Sequence, residues 1–135
     1  MTRYGIDVLT ALRLVDEGVS VADEHQLVAP NRLRSDALAI LYGRVHRGEL
    51  AKAAALDALD GITTLRIRLL GDRVSRRTAW KIAEQLRWHD TDRAEYVAVA
   101  QLQADALVTL DPELARAVDS IVTVAPFDAL ATRHG

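Results

Sequence analysis

Cysteine is absent from the 135-residue sequence, which excludes a disulfide-stapled scaffold, a thiolate metal site and a cysteine nucleophile. A surplus of positive charge is also missing, because 17 lysine and arginine residues stand against 19 aspartate and glutamate residues. A nucleic-acid partner would therefore need a local basic patch rather than the field of the whole protein.

Long apolar runs are missing as well. No stretch approaches the about 20 apolar residues that a membrane-spanning helix needs. The N-terminal segment MTRYGIDVLTALRLVDEG is interrupted by charges and a glycine before any signal-peptide core. These absences predict a soluble, cytoplasmic protein.

Proline and linker-like composition are scarce too. The sequence has three prolines and no Gly/Ser-rich tract or internal repeat, while 50% of its residues are apolar. A chain of this length and composition can bury one proper hydrophobic core. We therefore predict a single domain over residues 1–135.

The apolar spacing predicts strands that alternate with helices. A strand is predicted at 4–7, followed by a helix that stops at Gly18. Next we predict a loop from residue 25, a helix that opens near Pro30 and stops at Gly48, and a helix that ends at Gly61. The later segments predict strands at 63–71, 106–110 and 120–127 and helices at 75–88, 92–103 and 111–118. Apolar strands between helices indicate a mostly parallel sheet covered on both faces, which is a three-layer α/β/α sandwich.

Two predicted strands end on an aspartate, YGID at Asp7 and LVTLD at Asp111. Ligands of parallel sheets bind beyond the carboxyl ends of the strands, and neighbouring carboxylates repel each other unless a cation lies between them. Oxygen ligands suit Mg²⁺ or Mn²⁺. Each aspartate also fits the N-cap of the helix that follows. Asp111 in addition precedes a proline at the first helical position. Both interpretations stay open.

Three further acids are candidates, and Asp36 and Asp92 have two interpretations each. Asp36 borders the apolar stripe of its helix, and a carboxylate there needs either a metal ion or an ion pair with Arg32, four residues earlier. Asp92 and Glu95 have the spacing of a capping box. A metal role for Asp92 remains open, because helix N-termini face the same edge of the sheet.

Three segments together resemble the PIN domain: YGID, VAP followed by SDAL, and AEYVAVAQLQADALVTLDPELARAV. The closest likeness is to the VapC-type ribonuclease toxins of bacterial toxin–antitoxin pairs. It extends over nearly the whole chain, and the C-terminal segment is its most specific part. The resemblance implies a site of three or four acids that binds Mg²⁺ or Mn²⁺ and cleaves RNA with a metal-activated water.

On this resemblance, Asp7, Asp36 and Asp111 occupy positions of the family's catalytic and metal-binding acids. The fourth acid usually stands three residues before the tyrosine, where this chain has Arg93. Asp92 is the candidate that replaces it, and Glu95 is a secondary candidate.

The resemblance also implies partners, namely a second copy of the chain and an antitoxin peptide. Antitoxins commonly insert an arginine among the acids, and one hypothesis is that Arg93 does so within this chain. The alternative function is a PIN-fold binding or regulatory module whose acids serve only as caps and ion pairs. A receiver domain is disfavoured, because its paired acids and strand-end lysine are missing.

A local basic patch is present. Residues 66–81 contain six basic residues and one acidic residue, and we predict RNA contacts for Arg73, Arg76 and Arg77. We predict that Trp80 and Trp88 pack in the core. The four histidines, His25, His46, His89 and His134, form no metal-spacing motif and are interpreted as surface residues.

Overall fold

The computed structural model describes residues 1–131. Its strands are β1 (Thr2–Ile6), β2 (His25–Pro30), β3 (Arg68–Leu70), β4 (Ala106–Val108) and β5 (Val124–Ala125). Its α-helices are α1 (Val8–Glu17), α2 (Leu33–His46), α3 (Lys52–Thr64), α4 (Arg73–Gln85), α5 (Asp92–Gln103) and α6 (Pro112–Val118). A 3₁₀ turn at Phe127–Leu130 follows β5.

The five strands form one sheet in the order β3-β2-β1-β4-β5, and every pairing is parallel. The parallel sheet predicted from the apolar strand cores is confirmed. The first strand, β1, lies at the centre, with β2 on one side and β4 on the other. The strand order therefore reverses between β1 and β4, which is where parallel sheets open a crevice for ligands.

Helices cover both faces of the sheet. Alternate residues of β1 point to opposite faces, so Tyr4 and Ile6 belong to the core beneath α1, α2 and α3. Gly5 faces α5, where a Cβ atom on this glycine would lie 2.8 Å from the Cβ of Ala100. Leu107 packs into a second core with α4, α5 and α6. The result is the predicted three-layer α/β/α sandwich.

The prediction that residues 25–30 form a loop is wrong, because they form β2. The central Leu27, Val28 and Ala29 are each at most 2% exposed. The proline concealed the strand, since proline cannot donate to a ladder and is rare inside sheets. Pro30 is the last residue of β2, and the N–H of Asn31 donates to the Leu70 carbonyl at 2.9 Å.

The predicted helix end at Gly61 is also wrong. Gly61 lies inside α3, which continues to Thr64. A Cβ atom on Gly61 would clash with Cγ1 of Val15 in α1. Gly61 is therefore a packing glycine that lets α1 and α3 approach, and this reason is invisible in the local sequence. The strands predicted at 63–71 and 120–127 shorten to β3 and β5.

None of the helices within residues 1–131 has the length and apolarity that a membrane crossing requires.

Replacement of Gly61 by alanine tests whether packing or helix propensity determines the effect of this residue on stability. Propensity alone predicts a gain of about 0.5–1 kcal/mol. The clash with Val15 instead predicts a loss of about 1–3 kcal/mol in the free energy of unfolding. In a Val15→Ala background the clash is relieved, and Gly61→Ala should then stabilise. Urea denaturation of the four proteins measures this, and a stabilising Gly61→Ala in the wild-type background would contradict it.

A candidate acidic cleft at the carboxyl edge of the sheet

The two strand-end aspartates lie side by side, because β1 and β4 are hydrogen-bonded neighbours. Each one caps the helix that follows. Oδ1 of Asp7 accepts from the N–H of Thr10 at 2.9 Å, and Oδ1 of Asp111 accepts from the N–H of Glu113 at 2.9 Å. The N-cap interpretation is confirmed for both residues. It does not exclude a second role, since the caps leave both carboxylates facing the same cleft.

Two threonines hold these aspartates in place. The Thr10 hydroxyl lies 2.6 Å from Oδ1 of Asp7, and the Thr109 hydroxyl donates to Oδ2 of Asp7 at 2.5 Å. Thr109 also accepts from the N–H of Asp111 at 3.1 Å. Asp7 is only 8% exposed, so these bonds offset its burial. Both threonines were missed as site residues, although each stands within three positions of a strand-end acid.

The acids line one cleft of about 320 Å³. Asp7 and Asp111 enter it from the strand ends, Asp36 from α2 and Asp92 from α5. The other lining residues are Val8, Leu9, Arg32, Ala39, Ile40, Arg93, Tyr96 and Leu114. All four acids predicted as catalytic and metal-binding residues therefore share a pocket.

Glu95 lies beside this cleft rather than on its wall. It lines a small neighbouring cavity together with Arg76 and Val99. The capping box predicted from Asp92 and Glu95 is not formed, because Thr91 occupies the N-cap and Asp92 is the first residue of α5. Both acids turn instead towards Arg32.

Arg32 connects three of the acids. Its Nε and Nη2 donate to the two oxygens of Asp36 at 2.8 and 3.2 Å. Its Nη1 donates to Oε2 of Glu95 at 2.6 Å and lies 3.1 Å from Oδ1 of Asp92. The hydrogen bond to Asp36, with that to Glu95, raises the pKa of the guanidinium above its usual range. The ion-pair interpretation of Asp36 is thus confirmed.

Tyr96 supports the same carboxylate. Its hydroxyl donates to Oδ2 of Asp36 at 2.7 Å, and its side chain is 5% exposed. Burial, followed by the hydrogen bond to Asp36, raises the pKa of the phenol well above its usual range. Tyr96 therefore stays a proton donor, which fixes the orientation of Asp36.

Arg93 does not insert among the acids. Its guanidinium lies over the ring of Trp88, 4.4 Å from the ring centre, although its side chain reaches the cleft wall. The hypothesis that Arg93 occupies the acidic site is wrong. Arg32 instead contacts the acids Asp36, Asp92 and Glu95.

The donor set fits a hard divalent cation, because all four cleft acids offer carboxylate oxygens without nitrogen or sulfur. Within residues 1–131, however, no three acidic or histidine side chains are arranged around one point at which an ion could be held. The four aspartates share a cleft, and two of them, Asp36 and Asp92, form ion pairs with Arg32.

The basic patch is exposed and adjoins the acids. A capping box between Asp72 and Ser75 starts α4. Arg73, Arg76 and Arg77 lie in its first two turns and Lys81 in the third. Arg76, Arg77, Trp80 and Lys81 line a shallow depression of about 480 Å³. Because Arg76 also lines the small cavity with Glu95, the patch begins beside the acidic cleft.

The predicted core position of Trp80 is wrong, since its side chain is 67% exposed. Trp88 is half-buried and packs against the core of α4 and α5, as predicted. His25 is buried at 8% exposure, so its surface interpretation is wrong as well. His46 and His89 are exposed, and His134 lies outside the described residues.

Comparison with protein-family models gave no match, and comparison with curated proteins gave none. Among solved structures, the fold is similar to that of PAE2754 from Pyrobaculum aerophilum, with a TM-score of 0.71 and 18% sequence identity. The match covers 96% of this chain and 94% of that chain. At this sequence identity, the match shows that the two chains have similar folds.

The raised pKa of Tyr96 predicts a loss of stability in alkali. The folded chain holds this proton more tightly than the unfolded chain, so the stabilisation is complete below about pH 10, the ordinary pKa of tyrosine, and is lost as the pH rises further. Urea denaturation above about pH 10 should show a smaller decline for Tyr96→Phe than for the wild type. The matched control is Tyr42→Phe, since Tyr42 is 70% exposed. Equal declines in all three proteins would contradict the prediction.

Proposed function

We propose that this protein is a metal-dependent ribonuclease of the PIN type, which hydrolyses RNA phosphodiester bonds. One observation carries the proposal: four aspartates line a single cleft, two that follow β1 and β4 and two on α2 and α5. The cleft lies where the strand order reverses. Helix capping explains Asp7 and Asp111 but does not explain why four carboxylates lie in one pocket. A bound cation would explain it, because it would offset the repulsion between them.

In the proposed reaction, the oxygen of a water attacks the phosphorus, and the bond from phosphorus to the leaving oxygen breaks. Mg²⁺ or Mn²⁺ held by Asp7, Asp36, Asp92 and Asp111 would lower the pKa of that water and stabilise the charge on the leaving oxygen. Thr10 and Thr109 keep the Asp7 oxygens oriented. No protein nucleophile is needed, in agreement with a chain that lacks cysteine.

RNA contact is proposed for the exposed face of α4. Arg73, Arg76 and Arg77 recur at helical spacing and present guanidinium groups to solvent; such groups bind phosphates. Trp80 follows on the same face at 67% exposure, where its ring can stack on an unpaired base. A stacking ring beside phosphate-binding arginines is the composition of a single-stranded nucleic-acid site. It favours single-stranded RNA as the substrate.

The biological setting we propose is the cytoplasm, with the chain as the toxin of a toxin–antitoxin pair. The proposed protein partners are a second copy of the chain and an antitoxin peptide. A groove between α2 and α3 supports protein contact, since Leu38, Tyr42 and Leu56 line it and are 53%, 70% and 49% exposed. Apolar surface of this kind often marks a partner site.

One observation favours the alternative, a binding module without catalysis. Arg32 already neutralises part of the acidic cleft, and two aspartates are used as caps. In that case the α4 face would bind RNA, and the cleft acids would be purely structural.

Cleavage of a mixed RNA pool tests the enzyme. We expect cutting with Mg²⁺ or Mn²⁺, none with EDTA, and a loss of at least about 100-fold for Asp111→Asn, since several kcal/mol of charge stabilisation depend on the ion. Asparagine is as good an N-cap as aspartate, so this variant should keep its fold.

The matched control is Asp57→Asn, because Asp57 is exposed on α3 and lies outside the cleft lining. It should cut like the wild type. Cutting that is unaffected by EDTA would reject the metal dependence. No cutting with either Mg²⁺ or Mn²⁺ would reject the ribonuclease and leave the binding module.

Salt dependence tests the RNA face. In an uncleaving Asp111→Asn background with EDTA, Arg76→Gln combined with Arg77→Gln should flatten the slope of log affinity against log salt by about 1.4, or 0.7 per lost phosphate contact. Trp80→Ala should weaken binding by about 1–3 kcal/mol with little change in slope. Fluorescence anisotropy with a single-stranded RNA measures both.

Arg3→Gln is the control, since Arg3 is exposed on β1 near its amino end, away from the cleft. Identical slopes for the arginine variant and the control would contradict an RNA site on α4.

A further inference from the structure

Arg32 lies where the acids of the cleft need positive charge. Its guanidinium contacts Asp36, Asp92 and Glu95 at 2.6–3.2 Å. Its side chain is 26% exposed, so water screens these pairs less than surface pairs. The charge is permanent, because arginine does not lose its proton in proteins. A rise in pH therefore does not remove this charge from the acids, whereas a competing cation can displace it.

The contacts leave Asp36 poorly available to any other cation. Oδ2 of Asp36 accepts from both Arg32 and Tyr96, at 2.8 and 2.7 Å. Oδ1 accepts from Nη2 of Arg32 at 3.2 Å. One carboxylate oxygen has about two lone pairs to offer, so Oδ2 is fully used. This agrees with the absence, within residues 1–131, of three acids arranged around one point.

We propose that Arg32 is an internal inhibitory cation, which must release Asp36 and Asp92 before a divalent ion can bind in the cleft. The inference rests on the proposed metal-dependent function. Arg32 and the ion compete for the same two carboxylates, so each weakens the binding of the other by the same factor. The resting chain is restrained, and metal concentration sets the fraction released.

A purely structural role for Arg32 predicts something different. Arg32 joins α2 to α5 through Asp36, Asp92 and Glu95, and loss of this link alone would lower stability without tightening metal binding. Simple long-range repulsion predicts a third result, because removal of any nearby positive charge would then help a cation equally. Arg93 is the matched residue for that comparison, since it lines the same cleft while its guanidinium stacks on Trp88.

Calorimetric titration with Mn²⁺, with the melting temperature as a second readout, tests the competition. Arg32→Gln should bind Mn²⁺ between about 5-fold and 150-fold more tightly than the wild type, the usual range of coupling between competing ligands. Its melting temperature should be lower without Mn²⁺ and rise more on addition of the ion. Arg93→Gln, with the same change in charge, should shift affinity by less than about 3-fold.

Glu95→Gln provides a variant that keeps Arg32 and the four cleft aspartates. Because Glu95 accepts the 2.6 Å hydrogen bond from Arg32, the substitution loosens the hold on the arginine and should also tighten Mn²⁺ binding. Weaker binding would instead mark Glu95 as a metal ligand and count against the proposal.

The outcomes separate the two proposals. Equal Mn²⁺ affinity in wild type, Arg32→Gln and Glu95→Gln, together with metal-dependent RNA cleavage, overturns the inhibitory role of Arg32 alone. Equal tightening by Arg32→Gln and Arg93→Gln overturns it as well. No Mn²⁺ binding by any of the proteins overturns the metal-dependent function and the role of Arg32 with it.

Discussion

Repulsion between carboxylates confined to one cleft is the constraint on which the rest of this structure depends. Four aspartates at one edge of the sheet destabilise the fold unless each is compensated. Asp7 and Asp111 are compensated by backbone N–H groups at helix starts, and Asp7 also by two threonine hydroxyls. Asp36 and Asp92 are compensated by Arg32. The carboxylates of the cleft are therefore stabilised in two ways, by the backbone N–H groups of helix starts and by the side chain of Arg32.

This division gives the two halves of the cleft different properties. The β1–β4 half is rigid, because its hydrogen bonds come from the backbone at the starts of α1 and α6 and from Thr109, beside the end of β4. The α2–α5 half depends on side chains, because Arg32 bridges Asp36 and Asp92 while Tyr96 donates a second hydrogen bond to Asp36.

The neighbouring basic face follows from the same topology. Because α4 packs against α5, Arg76 borders the cavity that contains Glu95. The acids around Arg32 and the basic face of α4 therefore adjoin at this cavity. Exposure of Trp80 belongs to this arrangement, since the buried face of α4 is formed by the small Ala79 and Ala83 with Ile82.

The sequence by itself determined the alternation of strands and helices, the parallel sheet and the two strand-end aspartates, because these depend on local periodicity and on where a strand ends. Tertiary structure decided the remainder. Because of Pro30, the interior strand β2 was predicted as a loop. Gly61 was predicted to end a helix, whereas it lies inside α3 and packs against Val15. The spacing of four residues already predicted the pair of Arg32 with Asp36. The contacts of Arg32 with Asp92 and Glu95, and the exposure of Trp80, depend on residues distant in the chain. Spacing along one helix places a side chain on a face, but only the packing of α2 against its neighbours determines what that face meets.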